Sequence, residues 1–164
     1  MKKLFLPACY LILATCILPL QGCSWVCRFF IANTTNETLE IEMKLMDAPG
    51  SFPIFHYPKY YYGKLYRYEL KKEINVNFEK TPEEVKSDTL ENFSHYRFSI
   101  LPHSAVEIGQ LQNDNYEKHD QYFINGRIFN LEKIVVSQKK INIVPSTFDN
   151  YFKKGKNNDV YFVL

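Results

Sequence analysis

Short runs in which apolar and polar residues alternate follow one another along most of this chain. The clearest run covers residues 38–46, where four apolar residues alternate with Glu and Lys. A period of two places the apolar side chains on one face of a β-strand and leaves the other face in water. Residues 74–78 and 96–100 repeat the alternation. Shorter apolar runs occur at 28–32, 106–108, 127–129, 133–137, 141–144 and 159–164. We therefore predict many short strands.

The segments between these runs carry turn signals. Residues 33–37 (Asn-Thr-Thr-Asn-Glu) favour a tight turn, which predicts that the first two strands form a hairpin. Thr81, Pro82 and Glu84 have the spacing of a helix N-terminus with a capping box, which predicts a short helix over residues 82–92. One helical turn is also predicted within residues 146–154. This pattern is typical of a mainly β fold, an antiparallel β-sandwich of the immunoglobulin-like type.

The first 22 residues do not follow this pattern. Lys2 and Lys3 precede an uncharged run that ends at Leu20, the layout of a secretion signal, and the run is shorter than the ~20 residues of a membrane-spanning helix. The run leads into Leu20-Gln21-Gly22-Cys23, which resembles the lipobox of bacterial lipoproteins. The resemblance implies removal of residues 1–22, lipid attachment at Cys23 and a single mature domain, 23–164. The alternative is an ordinary signal peptide, after which Cys23 could pair with Cys27.

The lipobox resemblance also implies a location. Two or more acyl chains hold a protein stably on a bilayer, so the expected partner of Cys23 is the membrane of the cell envelope. Ser24 stands where Asp marks inner-membrane retention in many Gram-negative bacteria, which favours the outer membrane. The absence of an acidic cluster after Ser24 favours its periplasmic face. Residues 33–41 and 101–109 are similar to those of small lipoproteins of Bacteroidetes, a likeness that implies no activity.

Charge and cysteine content narrow the function classes. The chain has 20 Lys and Arg against 18 Asp and Glu, and removal of Lys2 and Lys3 leaves 18 of each. A neutral domain lacks the basic footprint of a nucleic-acid-binding protein. Cys27 is the one cysteine left for the mature fold once the signal is removed and Cys23 carries lipid. We expect no disulfide framework, and we expect Cys27 to be buried near the start of the first strand.

Candidate catalytic chemistry is sparse. The four histidines lack metal-ligand spacing, and no nucleophile or phosphate-binding motif is present. We expect no metal, no cofactor and no enzymatic activity. A hydrolase of envelope glycans is the alternative, and it requires a histidine and a carboxylate, or two carboxylates, to converge; His119, Asp120 and Asp149 are the candidates. A third hypothesis is an inhibitor or immunity lipoprotein that inserts the polar loop 110–120 into a partner.

One stretch, residues 57–68, concentrates tyrosine and basic side chains, and we call it the tyrosine segment. Tyrosine suits interfaces and stacking on sugar rings. The sequence therefore predicts a non-enzymatic module that binds an envelope protein or a glycan through this segment. Two alternatives are an ordinary strand whose inner tyrosines fill the sandwich, and contact with lipid headgroups. The candidate surface consists of Tyr57, Tyr60, Tyr61, Tyr62, Tyr66, Arg67 and Tyr68.

Overall fold

Two β-sheets packed face to face make up the part of the chain that the computed structural model describes, residues 25–48, 51–58, 64–70, 78–91 and 94–164. One short α-helix, α1 (Pro145–Tyr151), lies near the end of the chain. The strands in chain order are β1 (Val26–Asn33), β2 (Leu39–Leu45), β3 (Phe52–Pro53), β4 (Tyr66–Leu70), β5 (Phe78–Glu84), β6 (Ser87–Thr89), β7 (His95–Ile100), β8 (Ser104–Gln112), β9 (Arg127–Ile128), β10 (Leu131–Val136), β11 (Ile141–Ile143), β12 (Lys153–Lys154) and β13 (Val160–Val163).

The strand order identifies the two layers. One sheet has the order β12-β13-β1-β8-β4-β5 and the other β11-β10-β2-β7-β6, while β3 and β9 form a separate parallel pair. Neighbours in both large sheets are antiparallel, except that β1 and β13 run parallel. The predicted mainly β, antiparallel sandwich is confirmed.

The core lies between the two sheets. Phe29 and Ile31 of β1 contribute to the same buried cluster as Ile41 and Met43 of β2, with both strands in the middle of their sheets. Burial of apolar surface stabilises this arrangement by roughly 25 cal/mol per Å². In β2 the alternation seen in the sequence corresponds to alternate buried and half-buried residues. The middle strands of the two sheets therefore contribute to one shared core.

The predicted hairpin between the first two strands is wrong, because β1 and β2 lie in different sheets. The fully buried Asn33 stabilises the turn in which the chain passes from one sheet to the other. Its Nδ2 lies 2.7–3.1 Å from the backbone oxygens of Glu37, Ile100 and Leu101. Its Oδ1 accepts hydrogen bonds from Thr35. The turn therefore connects the layers.

The predicted helix over residues 82–92 is also wrong. Residues up to Glu84 belong to β5, which pairs with β4, and Ser87–Thr89 form β6, which pairs with β7; positions 92 and 93 are outside the described residues. Pairing with the neighbouring strands β4 and β7 outweighs a local capping signal. The helical turn predicted within residues 146–154 is confirmed by α1, where Thr147 exchanges hydrogen bonds with the backbone of Val144. No helix of the described segments is long and apolar enough to cross a membrane.

Candidate functional site

The tyrosine segment is the first candidate surface, and one of its members is buried. Tyr68, 4% exposed, packs edge-on against Phe30 with ring centroids 5.1 Å apart. Its hydroxyl donates to Glu107 Oε2 at 2.5 Å. Burial, followed by this hydrogen bond, raises the pKa of Tyr68. Although burial opposes ionisation of Glu107, hydrogen bonds from His56 and Tyr68 hold the pKa of that carboxyl below its ordinary value.

The other described members of the segment also have partners in the fold. The Tyr57 hydroxyl donates to the backbone oxygen of Met46, and Arg67 pairs with Glu83 at 2.5 Å. Tyr66 is half-buried against the Phe30 cluster. Tyr60, Tyr61 and Tyr62 lie outside the described residues. The described tyrosines therefore contribute to packing, while a binding role for the segment as a whole stays a prediction.

A groove lies beside this segment, at the corner where the chain passes from β5 to β6. We call it the corner groove; it has a volume of about 460 Å³, and its lining includes Pro58, Leu65, Val85, Ser87, Asp88 and Thr89. Tyr96 also lines it, fully buried, and its hydroxyl donates to the backbone oxygen of His56 at 2.9 Å. The lining thus combines apolar with polar side chains, a combination typical of ligand sites.

Both sheets end at the corner groove. β5 is the last strand of one sheet and β6 the last of the other. β6 has only three residues, two of them exposed, and among the described strands it pairs with β7 alone. An edge strand offers backbone groups to an added strand, and a short one limits unwanted association.

A second candidate site joins the β8–β9 loop to α1. His119 Nδ1 lies 2.7 Å from Asp149 Oδ2, and the Tyr116 hydroxyl donates to Asp149 Oδ1 at 2.5 Å. The backbone N–H of His119 also donates to the same carboxylate. Partial burial opposes ionisation of Asp149, but the hydrogen bonds from His119 and Tyr116 outweigh it and lower the pKa of the carboxyl. We call these three residues the His119 latch.

A concavity of about 490 Å³ adjoins the latch, lined by residues that include Ser51, His119, Tyr122, Arg127 and Phe129. Of the three hydrolase candidates, the structure brings His119 and Asp149 together. Asp120 instead pairs with Lys118 at 3.2 Å and is exposed. Within the described chain, no hydrogen bond from a protein group reaches His119 Nε2, whereas the Nε donor of Arg127 is buried without an acceptor.

The loop predicted over residues 110–120 is shorter and better ordered than expected. β8 continues to Gln112, so the first three positions belong to a strand. The Gln121 side chain accepts from the backbone of Glu117 and Lys118 and donates to that of Asn115. Sequence reasoning missed the exposed Tyr122 that follows; the signal was the apolar run of residues 122–124 beside a polar loop.

Two expectations about cysteine and metal chemistry were made from the sequence. Cys27 is buried with a free thiol, as predicted, and burial, followed by the nearby charge of Asp159, raises its pKa to about 11. The segments that the structure describes contain no group of three or more metal-ligating side chains.

No protein-family model, curated protein or solved structure matches this chain. Function therefore has to be argued from geometry.

Proposed function

We propose that this protein is a lipoprotein of the bacterial envelope, anchored through lipid on Cys23, that acts by binding an envelope protein or glycan. The lipobox at residues 20–23 supports the anchor, and the outer membrane, at its periplasmic face, is the proposed location. The corner groove and the adjoining tyrosine segment are the proposed contact surface. The mature protein is proposed to be a binding module and not an enzyme.

The observation that carries this proposal is the composition of the corner groove. The half-buried Pro58 and Val85 supply apolar surface within it, while Ser87, Asp88 and Thr89 supply hydroxyl and carboxylate groups. A sugar ring has apolar faces and a hydroxyl rim that such a lining complements. An extended peptide can instead pair with the backbone of β6. Either ligand class fits the groove better than a nucleic acid, because the groove carries no excess of basic side chains.

The anchor is tested by expressing the full chain in a Gram-negative host and comparing it with Cys23→Ala. We expect the wild type to gain the mass of its acyl chains and to fractionate with membranes, and the variant to do neither. Two or more acyl chains make such attachment stable. Equal masses and equal solubility of the two proteins would rule out the anchor.

Binding at the groove is tested with a matched pair of substitutions. Thr89 is exposed and lines the groove, whereas Thr38 is exposed in the β1–β2 turn and lines no described concavity. With the acylated proteins, we expect Thr89→Arg to reduce cosedimentation with peptidoglycan sacculi at least tenfold and Thr38→Arg to leave it unchanged. For a protein partner, a photo-crosslinker at position 89 gives a discrete adduct in cells that position 38 does not. The binding proposal fails if neither readout distinguishes the two positions.

A glycan hydrolase is the second candidate, and one observation favours it. His119 is held through Nδ1 by the Asp149 carboxylate, an arrangement in which Nε2 is the atom able to accept a proton from water. The test measures reducing ends released from sacculi by the wild type, by His119→Gln and by Thr89→Arg. Release that is lost only in His119→Gln supports the hydrolase; no release by the wild type removes this candidate.

A further inference from the structure

A chain of contacts connects the start of the fold to the β8–β9 loop. The backbone of Trp25 exchanges two hydrogen bonds with Asn113, at 2.9 and 3.2 Å. The next residue, Asp114, accepts a hydrogen bond from the backbone N–H of Ile124 at 2.9 Å. Gly126 in turn lies beside the ring of Phe52, because β9 pairs with β3. We call the surface made by Trp25, Phe52 and residues 113–127 the loop end.

The loop end exposes four large apolar side chains. Trp25 is 49% exposed, Phe52 64%, Tyr122 89% and Ile124 41%. Single exposed apolar residues are ordinary, but several on adjoining segments mark an interaction surface. The backbone that carries them is fixed by the hydrogen bonds above and by β3–β9 pairing. Their exposure is therefore a feature of an ordered surface.

The position of Cys23 identifies what this surface meets. Two residue steps separate Cys23 from Trp25, and extended chain spans at most about 3.3–3.6 Å per residue, so the backbone of Trp25 lies within roughly 7 Å of that of Cys23. Tryptophan and tyrosine favour the headgroup layer, where the ring is buried and the polar atom stays hydrated. The anchor therefore holds Trp25, one member of this surface, close to a bilayer.

Charge at the loop end defines the mode of contact. Residues 113–127 carry three carboxylates, Asp114, Glu117 and Asp120, and two permanent cations, Lys118 and Arg127, so this stretch has no net positive charge to attract anionic lipid. We propose that the loop end docks on the phospholipid headgroup layer through Trp25, Phe52, Tyr122 and Ile124. The attraction comes from burial of these apolar side chains and not from charge. This inference rests on the proposed anchoring at Cys23.

The test uses Trp25, the only tryptophan of the chain, as the reporter. The acylated full-length protein is reconstituted in phosphatidylcholine vesicles that contain acyl-brominated lipid, and quenching of Trp25 is measured. Tyr122→Ser with Ile124→Ser is compared with Leu101→Ser with Val163→Ser, two exposed apolar residues at the opposite end of β1. We expect the loop-end pair to reduce quenching by about half or more, because it removes apolar contact area, and the control pair to have no effect.

The outcomes separate the docking from the anchor. Unchanged quenching in the loop-end variant, with acyl mass and vesicle binding retained, overturns the docking and leaves the anchor intact. A wild type without acyl mass that stays out of the vesicles overturns both. Quenching that appears only when phosphatidylglycerol is included contradicts the apolar mode of contact.

A second variant tests the docking without removing apolar side chains from the loop end, because it moves the fluorescent reporter instead. Trp25→Phe combined with Tyr122→Trp moves the only tryptophan to the tip of the loop, far along the chain from the anchor. Docking predicts that this fluorophore is quenched by the brominated vesicles as strongly as Trp25. Absence of quenching in a correctly folded, acylated protein overturns the proposal.

Discussion

At the scale of single residues, a buried side-chain amide holds the backbone of Phe55 in the core. Asn130 is fully buried, and its Oδ1 accepts the backbone N–H of Phe55 while its Nδ2 donates to the backbone oxygen of the same residue. A buried backbone group left without a partner costs about 1–3 kcal/mol. The side chain thus takes the place of a neighbouring strand for Phe55.

We predict that Asn130→Ala lowers the free energy of unfolding by about 2–4 kcal/mol, because it leaves two buried backbone groups of Phe55 unpaired. Urea denaturation measures the change. The matched control is Asn142→Ala, at an exposed position of β11, for which we expect a change within about 0.5 kcal/mol. Equal effects of the two substitutions would contradict this role for Asn130.

The His119 latch supplies a pH-dependent prediction. The pKa of Asp149 is lowered below its ordinary value of 3.8. The carboxylate therefore contributes stability that is present above pH 3.8 and lost as the pH falls through the lower, folded-state pKa. Since the carboxylate is more than a third exposed, solvent weakens the effect.

We expect Asp149→Asn to lower the free energy of unfolding by about 1 kcal/mol at pH 7, since it removes charged acceptors from His119 and Tyr116. The difference from wild type should shrink below pH 3.8. Urea denaturation at pH 7 and pH 3 tests this, with Asp120→Asn as the control at an exposed ion pair. A deficit that grows on acidification would show that the sign of the coupling is wrong.

At the scale of elements, alternation predicted a strand where one face is buried and the other wet. The buried residues of β2 and β7 are those of the sequence pattern. β1 does not alternate, because the outer face of its sheet is also covered: Phe30 and Ala32 are buried with Tyr161 on the side opposite the core. Because both faces are buried, the sequence of β1 lacks the two-residue period that would identify its core-facing side.

The elements that sequence reasoning missed depend on contacts outside the local sequence motif. The capping signal at residues 81–84 is local and worth about 1 kcal/mol. β5 is instead defined by its register with β4, and the backbone N–H of Val85 donates a hydrogen bond to the backbone oxygen of Leu65. The His119 latch likewise joins residues 30 positions apart. Sequence reasoning named His119 and Asp149 as candidates, but only the packing of α1 on the loop brings them together.

The passage of a loop over β8 gives a prediction at this scale. Phe55 forms an isolated bridge with Gly109, and a Cβ added at Gly109 would lie 2.6 Å from the backbone oxygen of Ile54. We expect Gly109→Ala to lower the free energy of unfolding by about 2–3 kcal/mol, because backbone must move to admit the methyl group. Thermal or urea unfolding measures the loss.

Gly126 is the comparison, because a Cβ there would meet the Phe52 ring at an ordinary contact distance of 4.0 Å but would sit at a φ of +67°. Gly126→Ala should cost about 1 kcal/mol, the cost of placing a Cβ in the left-handed region. If Gly109→Ala lowers the free energy of unfolding less than Gly126→Ala does, the backbone from Ile54 to His56 moves easily to admit the methyl group. The close approach at Gly109 would then not constrain the fold.

At the scale of the whole molecule, the loop end and the corner groove have separate roles in the two proposals. Docking of the loop end on lipid would place the concavity beside His119 against the headgroup layer, since Tyr122 belongs to both surfaces. A soluble glycan would then be excluded from His119. The docking and a hydrolase acting on sacculi at that site therefore compete, whereas ligand binding at the corner groove is compatible with docking.

The thiol of Cys27 reports on the whole fold, since it is buried in β1, a central strand of its sheet. A pKa of about 11 leaves a thiolate fraction of roughly one in a thousand at pH 8. In the acylated protein Cys23 carries lipid, so Cys27 is the thiol that a maleimide can modify. We predict negligible labelling of the native protein, and labelling that rises only across the denaturant range of global unfolding.

An exposed cysteine introduced by Ser137→Cys supplies the control and should react at once in the native protein. Rapid labelling of Cys27 itself under native conditions would contradict the prediction that this thiol becomes accessible only on global unfolding. The same experiment also separates the two signal-peptide hypotheses. If Cys23 is unmodified and paired with Cys27, the denatured protein stays unlabelled until a reductant is added. If Cys23 carries lipid, denaturant alone exposes one reactive thiol, because Cys27 then has no disulfide partner.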